Sequence, residues 1–229
     1  QRHYGFNSFG KLNINEYSNL NFGLNASIYK SKNYRKMNDL LGGDFWVDID
    51  PFALRDFNDP SLAQNDLQNI NNIIRKGDVF GYNYDIHVNK NELFGTYSYN
   101  KNRIESFFGI NTSTTTFWRN GKMQNGRFPE SSLGKSEKQN FYNYGLKLGF
   151  LYKITGRHLL SFNAMYKTEA PYVRNAYVSP RTRNQLVPNL NSIEIISGDL
   201  NYNIRLPFLK ARLTGFYTQI NDQTWARSF

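Results

Sequence analysis

Between Phe141 and Lys167 the chain alternates apolar and polar residues along two successive runs. Tyr142, Tyr144, Leu146, Leu148, Phe150 and Tyr152 occupy one phase, and Asn143, Gly145, Lys147, Gly149, Leu151 and Lys153 the other. Successive side chains of a strand point to opposite faces, so this period of two predicts a strand with one apolar face. After Ile154-Thr155-Gly156-Arg157 the pattern resumes, with Leu160, Phe162, Ala164 and Tyr166 set against Ser161, Asn163 and Lys167. Two such runs joined by a tight turn read as a long antiparallel hairpin. Strands of soluble domains commonly stop at about five or six residues, whereas a tilted strand needs about nine to eleven to cross a bilayer. These strands are long enough to cross.

The same signal recurs on both sides of the hairpin. A first strand is expected over Tyr4–Asn15, with Tyr4, Phe6, Leu12 and Ile14 opposed to Asn7, Lys11, Asn13 and Asn15, and with Phe9 as an exception. A second, Leu20–Lys30, alternates most cleanly. A long non-strand excursion follows over 31–81, with a short helix expected around 61–75, capped by Ser61 and stopped by Gly77. The third strand, Tyr82–Tyr99, starts with Tyr82, Tyr84, Ile86 and Val88 in phase and continues with Leu93, Tyr97 and Tyr99 out of phase. A bulge near Asn89-Lys90-Asn91 would produce that slip. The fourth strand is expected over Ile104–Trp118, the seventh over Ile193–Ile204 and the eighth over Leu209–Ile220, with long loops at Arg119–Gln139 and Thr168–Asn189. Short turns therefore alternate with long loops, the asymmetry of transmembrane barrels. The fold class expected is all-β: an antiparallel transmembrane β-barrel segment of about eight long strands, residues 1–229 forming part of one barrel domain, with its long loops extracellular and its short turns periplasmic.

Composition agrees with a barrel that is greasy outside and wet inside. Aromatics make up 16% of the chain, and no run of 18 apolar residues exists to form a membrane helix. The net charge of +10 comes from basic residues scattered over turns, loops and one strand face, so no nucleic-acid partner is expected. With no cysteine, a disulfide scaffold and cysteine-ligated metals are excluded. The chain opens on Gln1-Arg2-His3 with no signal peptide, which predicts a segment of a longer mature protein.

Several stretches carry a family likeness. Lys32-Asn33-Tyr34-Arg35-Lys36-Met37-Asn38-Asp39-Leu40-Leu41-Gly42, after a strand, resembles an early extracellular loop of TonB-dependent outer-membrane receptors of the Bacteroidetes type. Gly134-Lys135-Ser136-Glu137-Lys138-Gln139-Asn140-Phe141 is similar to another of their segments. So is Ala170-Pro171-Tyr172-Val173-Arg174-Asn175-Ala176-Tyr177-Val178-Ser179-Pro180-Arg181-Thr182-Arg183-Asn184, followed by Ile195-Ile196-Ser197-Gly198-Asp199-Leu200-Asn201-Tyr202. The resemblance implies a 22-stranded barrel in the outer membrane, amid lipid and lipopolysaccharide, with a plug in its lumen. It also implies uptake of a scarce nutrient (siderophore, glycan, peptide or cofactor) energised by the TonB complex through the plug, and a surface lipoprotein lid as a further partner. The chain itself carries neither a plug nor a TonB-contacting segment, so transport by this stretch alone is not expected.

Candidate ligand contacts follow from residue chemistry. Arg174, Arg181 and Arg183, with Tyr172 and Tyr177, crowd the Pro-rich loop, and Trp118 and Arg119 sit at the mouth end of the fourth strand. Arginine forks and aromatic faces suit carboxylated, phosphorylated or sugar-like ligands. The plainer reading is that the arginines tie loops together or meet lipopolysaccharide phosphates and that Trp118 belongs to an interfacial aromatic girdle. Asp44, Asp48 and Asp50 offer oxygen ligands for a hard cation but match no EF-hand spacing, and solvated loop acids or helix caps are the plainer reading. His3, His87 and His158 are widely spaced, and Gly134-Lys135-Ser136 lacks the rest of a phosphate loop. No metal site, cofactor or catalytic residue is expected, and no enzyme. A passive porin or adhesin barrel and a soluble β-sandwich binding module stay open as alternatives.

Overall fold

A computed structural model describes residues 1–225, and about 60% of the chain is strand against 8% helix. Eight long strands form one antiparallel sheet in the order β1-β2-β5-β6-β8-β9-β10-β11. They are β1 (Arg2–Asn15), β2 (Ser18–Lys36), β5 (Val79–Lys101), β6 (Ile104–Gly121), β8 (Gln139–Lys153), β9 (His158–Glu169), β10 (Ile193–Arg205) and β11 (Lys210–Asn221). Between them lie two-residue pieces, β3 (Trp46–Val47) paired with β4 (Ile73–Ile74), and β7 (Gly134–Lys135) on the end of β6. Short helices, α1 (Pro51–Asp56), α2 (Pro129–Ser132) and α3 (Val173–Ala176), sit in the loops. Neighbours in sequence are neighbours in space throughout, so the four tight turns share one end of the sheet and the three long loops share the other. Among the described residues β1 and β11 each pair on one side only, and the sheet is open.

The register turns the sequence pattern into two continuous faces. Leu24 stands opposite Leu93, Ile110 opposite Leu146, Leu148 opposite Ala164, Phe162 opposite Leu200 and Tyr202 opposite Leu213. This apolar face is bare, with Phe108 at 50%, Ile110 at 53% and Leu200 at 52% exposure. Tyrosines edge it, with Tyr97, Tyr152 and Tyr202 toward the turns and Tyr4, Tyr142, Tyr144 and Tyr166 toward the loops. The other face carries Asn7, Asn25, Glu92, Asn111, Lys147, Asn163 and Asp199. Glycines on this polar face take up aromatic bulk from the strand beside them. Phe107 lies so close over Gly149 that a Cβ there would sit 2.1 Å from the ring.

Two expectations are corrected. The bulge at Asn89-Lys90-Asn91 does not exist: β5 runs in unbroken register with β2 from Tyr99 to Asn83, and the irregularity falls between Tyr34 and Arg35. The change of phase along β5 has another cause. Near the turns its apolar residues face outward, but Ile86 and Val88 point to the polar face, where a loop covers them. The helix around 61–75 is also absent. Asp50 caps α1, with Pro51 at its start, and Asp59 caps a 3-10 turn over Pro60–Ala63. Beyond it, side chains claim the backbone donors: Gln64 Oε1 accepts from Asn71 N and Asp66 Oδ1 from Gln68 N, which removes the helical alternative. The first long loop is also shorter than 31–81, because β2 and β5 extend into it.

Candidate functional site

The third long loop folds against the polar face at its end of the sheet and closes a hydrophobic core cluster there with residues of β5, β6 and β8. Phe117 of β6, Ala176 and Tyr177 are fully enclosed, with Ile86, Val88, Phe141, Val173, Leu186 and Leu190 packed around them. The Tyr177 hydroxyl is 3.0 Å from the Ser136 hydroxyl, and burial pushes this phenol above its ordinary pKa. Arg119 sits beside them at 1% exposure. Its guanidinium donates to the carbonyls of Pro180 (2.6 Å) and Ser132 (2.8 Å) and to Asn184 Oδ1 (2.7 Å), and lies 5.1 Å from the Tyr84 ring centre. One buried cation thus fastens the second loop, the third loop and β5 together. Glycine makes the approach feasible: a Cβ on Gly121 would fall 1.8 Å from the Ser132 carbonyl oxygen.

The first loop is held in the same way. Asp48, almost fully buried, accepts from Asn65 Nδ2 at 2.8 Å and from Gly81 N at 2.9 Å, and burial pushes its carboxyl above the usual range. Gly126 lies against the Ser61 carbonyl, with room for no side chain, and so joins the first loop to the second. Asp48 and Asp50 are therefore occupied as structural acceptors. Among the described residues no group of three or more His, Cys, Asp or Glu side chains comes together. His3, His87 and His158 lie apart, each against an aromatic ring of a neighbouring strand.

On this scaffold a groove of about 340 Å³ opens between the first and third loops, lined by Arg35, Trp46, Phe52, Phe80, Tyr82 and Arg181. The Arg35 guanidinium is 5.3 Å from the Phe80 ring centre and 5.6 Å from that of Tyr82, and Arg181 lies 5.2 Å from Tyr82. Tyr82 is thus flanked by two guanidiniums, while Trp46 (47%) and Phe52 (66%) present open rings. Rings offer stacking surface and guanidiniums offer paired donors, a combination that suits an anionic ligand with a flat or sugar-like body.

Of the seven residues singled out from sequence, only Arg181 lines this groove. Arg119 and Tyr177 do not present themselves to a ligand: their polar atoms are spent inside the loop packing. Arg183 stacks 4.2 Å from the Phe128 ring centre, and Tyr172 and Arg174 are exposed outside the groove. Trp118 lies on the opposite, apolar face of the sheet. Arg35, Trp46, Phe52, Phe80 and Tyr82 escaped the sequence reading. Arg35 continues the polar phase of Asn25, Ser27, Ser31 and Asn33, and following that phase past Lys30 would have found it. No family model matches the chain, and no curated protein matches it either.

Proposed function

We propose that the chain is part of the barrel wall of an outer-membrane receptor of the TonB-dependent type, and that its loop-end groove captures a nutrient bearing anionic groups. One observation carries this reading: a bare apolar belt crosses all eight strands, while the strand positions opposite it are largely polar and the enclosed core lies on that other side. Exposed contiguous apolar patches on soluble monomers seldom exceed a few hundred Å², so a face of this extent needs a cover. Lipid covers a barrel exterior, and the polar face then becomes the lumen wall. The single-sided pairing of β1 and β11 supports a larger barrel, since an unpaired edge invites association unless further strands complete it. In this reading the other strands, the plug and the TonB contact belong to other parts of the protein. The work is capture and gating, without a covalent step.

The full-length protein, extracted from outer membranes, should be titrated with uronic-acid oligosaccharides and with neutral oligosaccharides of the same length. The acidic series is expected to bind, and the double replacement Arg35→Ala and Arg181→Ala to weaken it by at least about tenfold, the loss of charge-assisted hydrogen bonds. Equal binding of the acidic and neutral series, insensitive to the double replacement, would remove the arginine groove from the account.

A further inference from the structure

Beyond the apolar belt, the same face of β2, β5 and β6 changes character. Lys30 stands opposite His87 and His87 opposite Trp118, so these side chains form one row across three strands. In the next row Lys32 faces Asp85, Asp85 faces Asn120, and Asn120 faces Lys135. Arg2 adjoins Lys30 from β1. His87 stacks flat on Trp118, 4.8 Å between ring centres and 6° between planes, and the ammonium groups of Lys135 and Lys138 lie 5.6 and 5.1 Å from the Trp118 ring. The Trp118 indole N–H is buried without an acceptor. Buried Asp85 holds Lys30 at 3.1 Å and Lys122 at 2.8 Å, and is the only acid at an apolar-face position of these three strands. Glu137 is next to Lys138 in the chain; against these two acids stand Arg2, Lys30, Lys32, Lys122, Lys135 and Lys138.

On the turn side of this cationic band runs a groove of about 300 Å³, lined by Leu24, Ala26, Asn91, Leu93, Thr112 and Thr114. It shares Leu24, Leu93 and Thr112 with a wider apolar recess of about 540 Å³, where Gly95 leaves open space and the Phe22 ring lies over Gly10. An apolar channel thus leads along β5 toward a band of excess positive charge.

We propose that this channel and band are a binding site for a phosphorylated lipid of the leaflet around the loop end. An acyl chain fills the channel, and headgroup phosphates meet Lys30, Lys32, Lys135 and Lys138. The chemistry selects the ligand on both counts: a free anion makes no use of the channel, and a neutral lipid leaves the lysines without counter-charge. Asp85 orients Lys30 and Lys122 and cancels only part of their charge. The site rests on the membrane reading given above, which it extends with a specific lipid chemistry.

The full-length protein, purified from outer membranes in detergent and stripped of lipid, tests it with phosphorylated lipid A as the probe. This lipid is expected to raise the melting temperature, whereas lipid A with its phosphates removed, or inorganic phosphate alone, is not. Replacing three lysines that hold no carboxylate, Lys32→Gln, Lys135→Gln and Lys138→Gln, is expected to weaken binding on the order of 100-fold, since each cation near a lipid surface contributes several-fold in affinity. Equal protection by the dephosphorylated lipid or by inorganic phosphate, or unchanged binding by the triple variant, overturns the site. A protein that inserts in outer membranes yet shows no phosphate preference loses this proposal alone. One that never enters the membrane loses the receptor reading as well.

Discussion

Replacing Arg119 with alanine is expected to release the loops from the sheet while leaving the strands paired. The change strands three acceptors, the buried carbonyl of Ser132 and the half-buried Pro180 carbonyl and Asn184 side-chain oxygen, around a guanidinium that is itself almost fully enclosed. An unsatisfied buried polar group costs about 1–3 kcal/mol, so a loss of about 3 kcal/mol in loop anchoring is a moderate expectation. Part of that cost is offset by removing a buried charge that has no carboxylate partner. The expected readout is local. Amides of 122–138 and 170–190 should exchange with solvent on the order of 100-fold faster, and those at the centre of β8 and β9 at their former rate. Arg119→Lys keeps the charge but cannot reach three acceptors with one ammonium, so it should fall between the two. Uniform acceleration over the whole sheet would mean that Arg119 supports the strands rather than the loops. Unchanged exchange everywhere would mean that the clamp contributes nothing.

A lysine at Leu148 separates a lipid-facing sheet from a water-facing one. Leu148 lies on the apolar face between Phe108 and Ala164 and is 42% exposed. At an exposed position in water such a change usually shifts stability by no more than about 0.5 kcal/mol. At the midplane of a bilayer a lysine on the outside of a barrel costs about 2–4 kcal/mol. Leu148→Lys in the full-length protein is therefore expected to lower folding stability in lipid vesicles by about 2 kcal/mol or more. Ser161→Lys, on the polar face, should stay within about 0.5 kcal/mol of the parent. Lys147 and Lys153 already stand on that polar face, and the expected asymmetry extends what the chain does at native positions.

Period-two alternation made the strands legible, because a sheet with unlike environments on its two sides must separate its side chains by phase. Where the environments change along one strand, the pattern misled. Ile86 and Val88 look like a slipped register, yet they keep register and, with Phe117 and Phe141, turn inward beneath the loop that carries Tyr177. Nothing local in β5 or β6 announces that a segment far along the chain will cover them. Arg119 and Tyr177 were legible as chemically notable residues, but whether a guanidinium meets a ligand or three carbonyls depends on loop closure, which alternation does not encode. The helix expected near 61–75 failed because its Asn, Asp and Gln side chains compete for backbone donors. The groove stayed hidden because its residues come from segments brought together only when the loops pack.

The most direct test of the central claim uses the absence of cysteine from this stretch. Single cysteines would be placed at Ile110, Leu146 and Phe162 on the apolar face and at Asn111, Lys147 and Asn163 on the polar face of the full-length protein in its membrane. Spin labels at the first three positions are expected to collide with a lipid-dissolved relaxing agent, and labels at the other three with a water-soluble one. If all six meet the water-soluble agent alike, the apolar face does not lie against lipid, and the membrane account of this sheet is wrong.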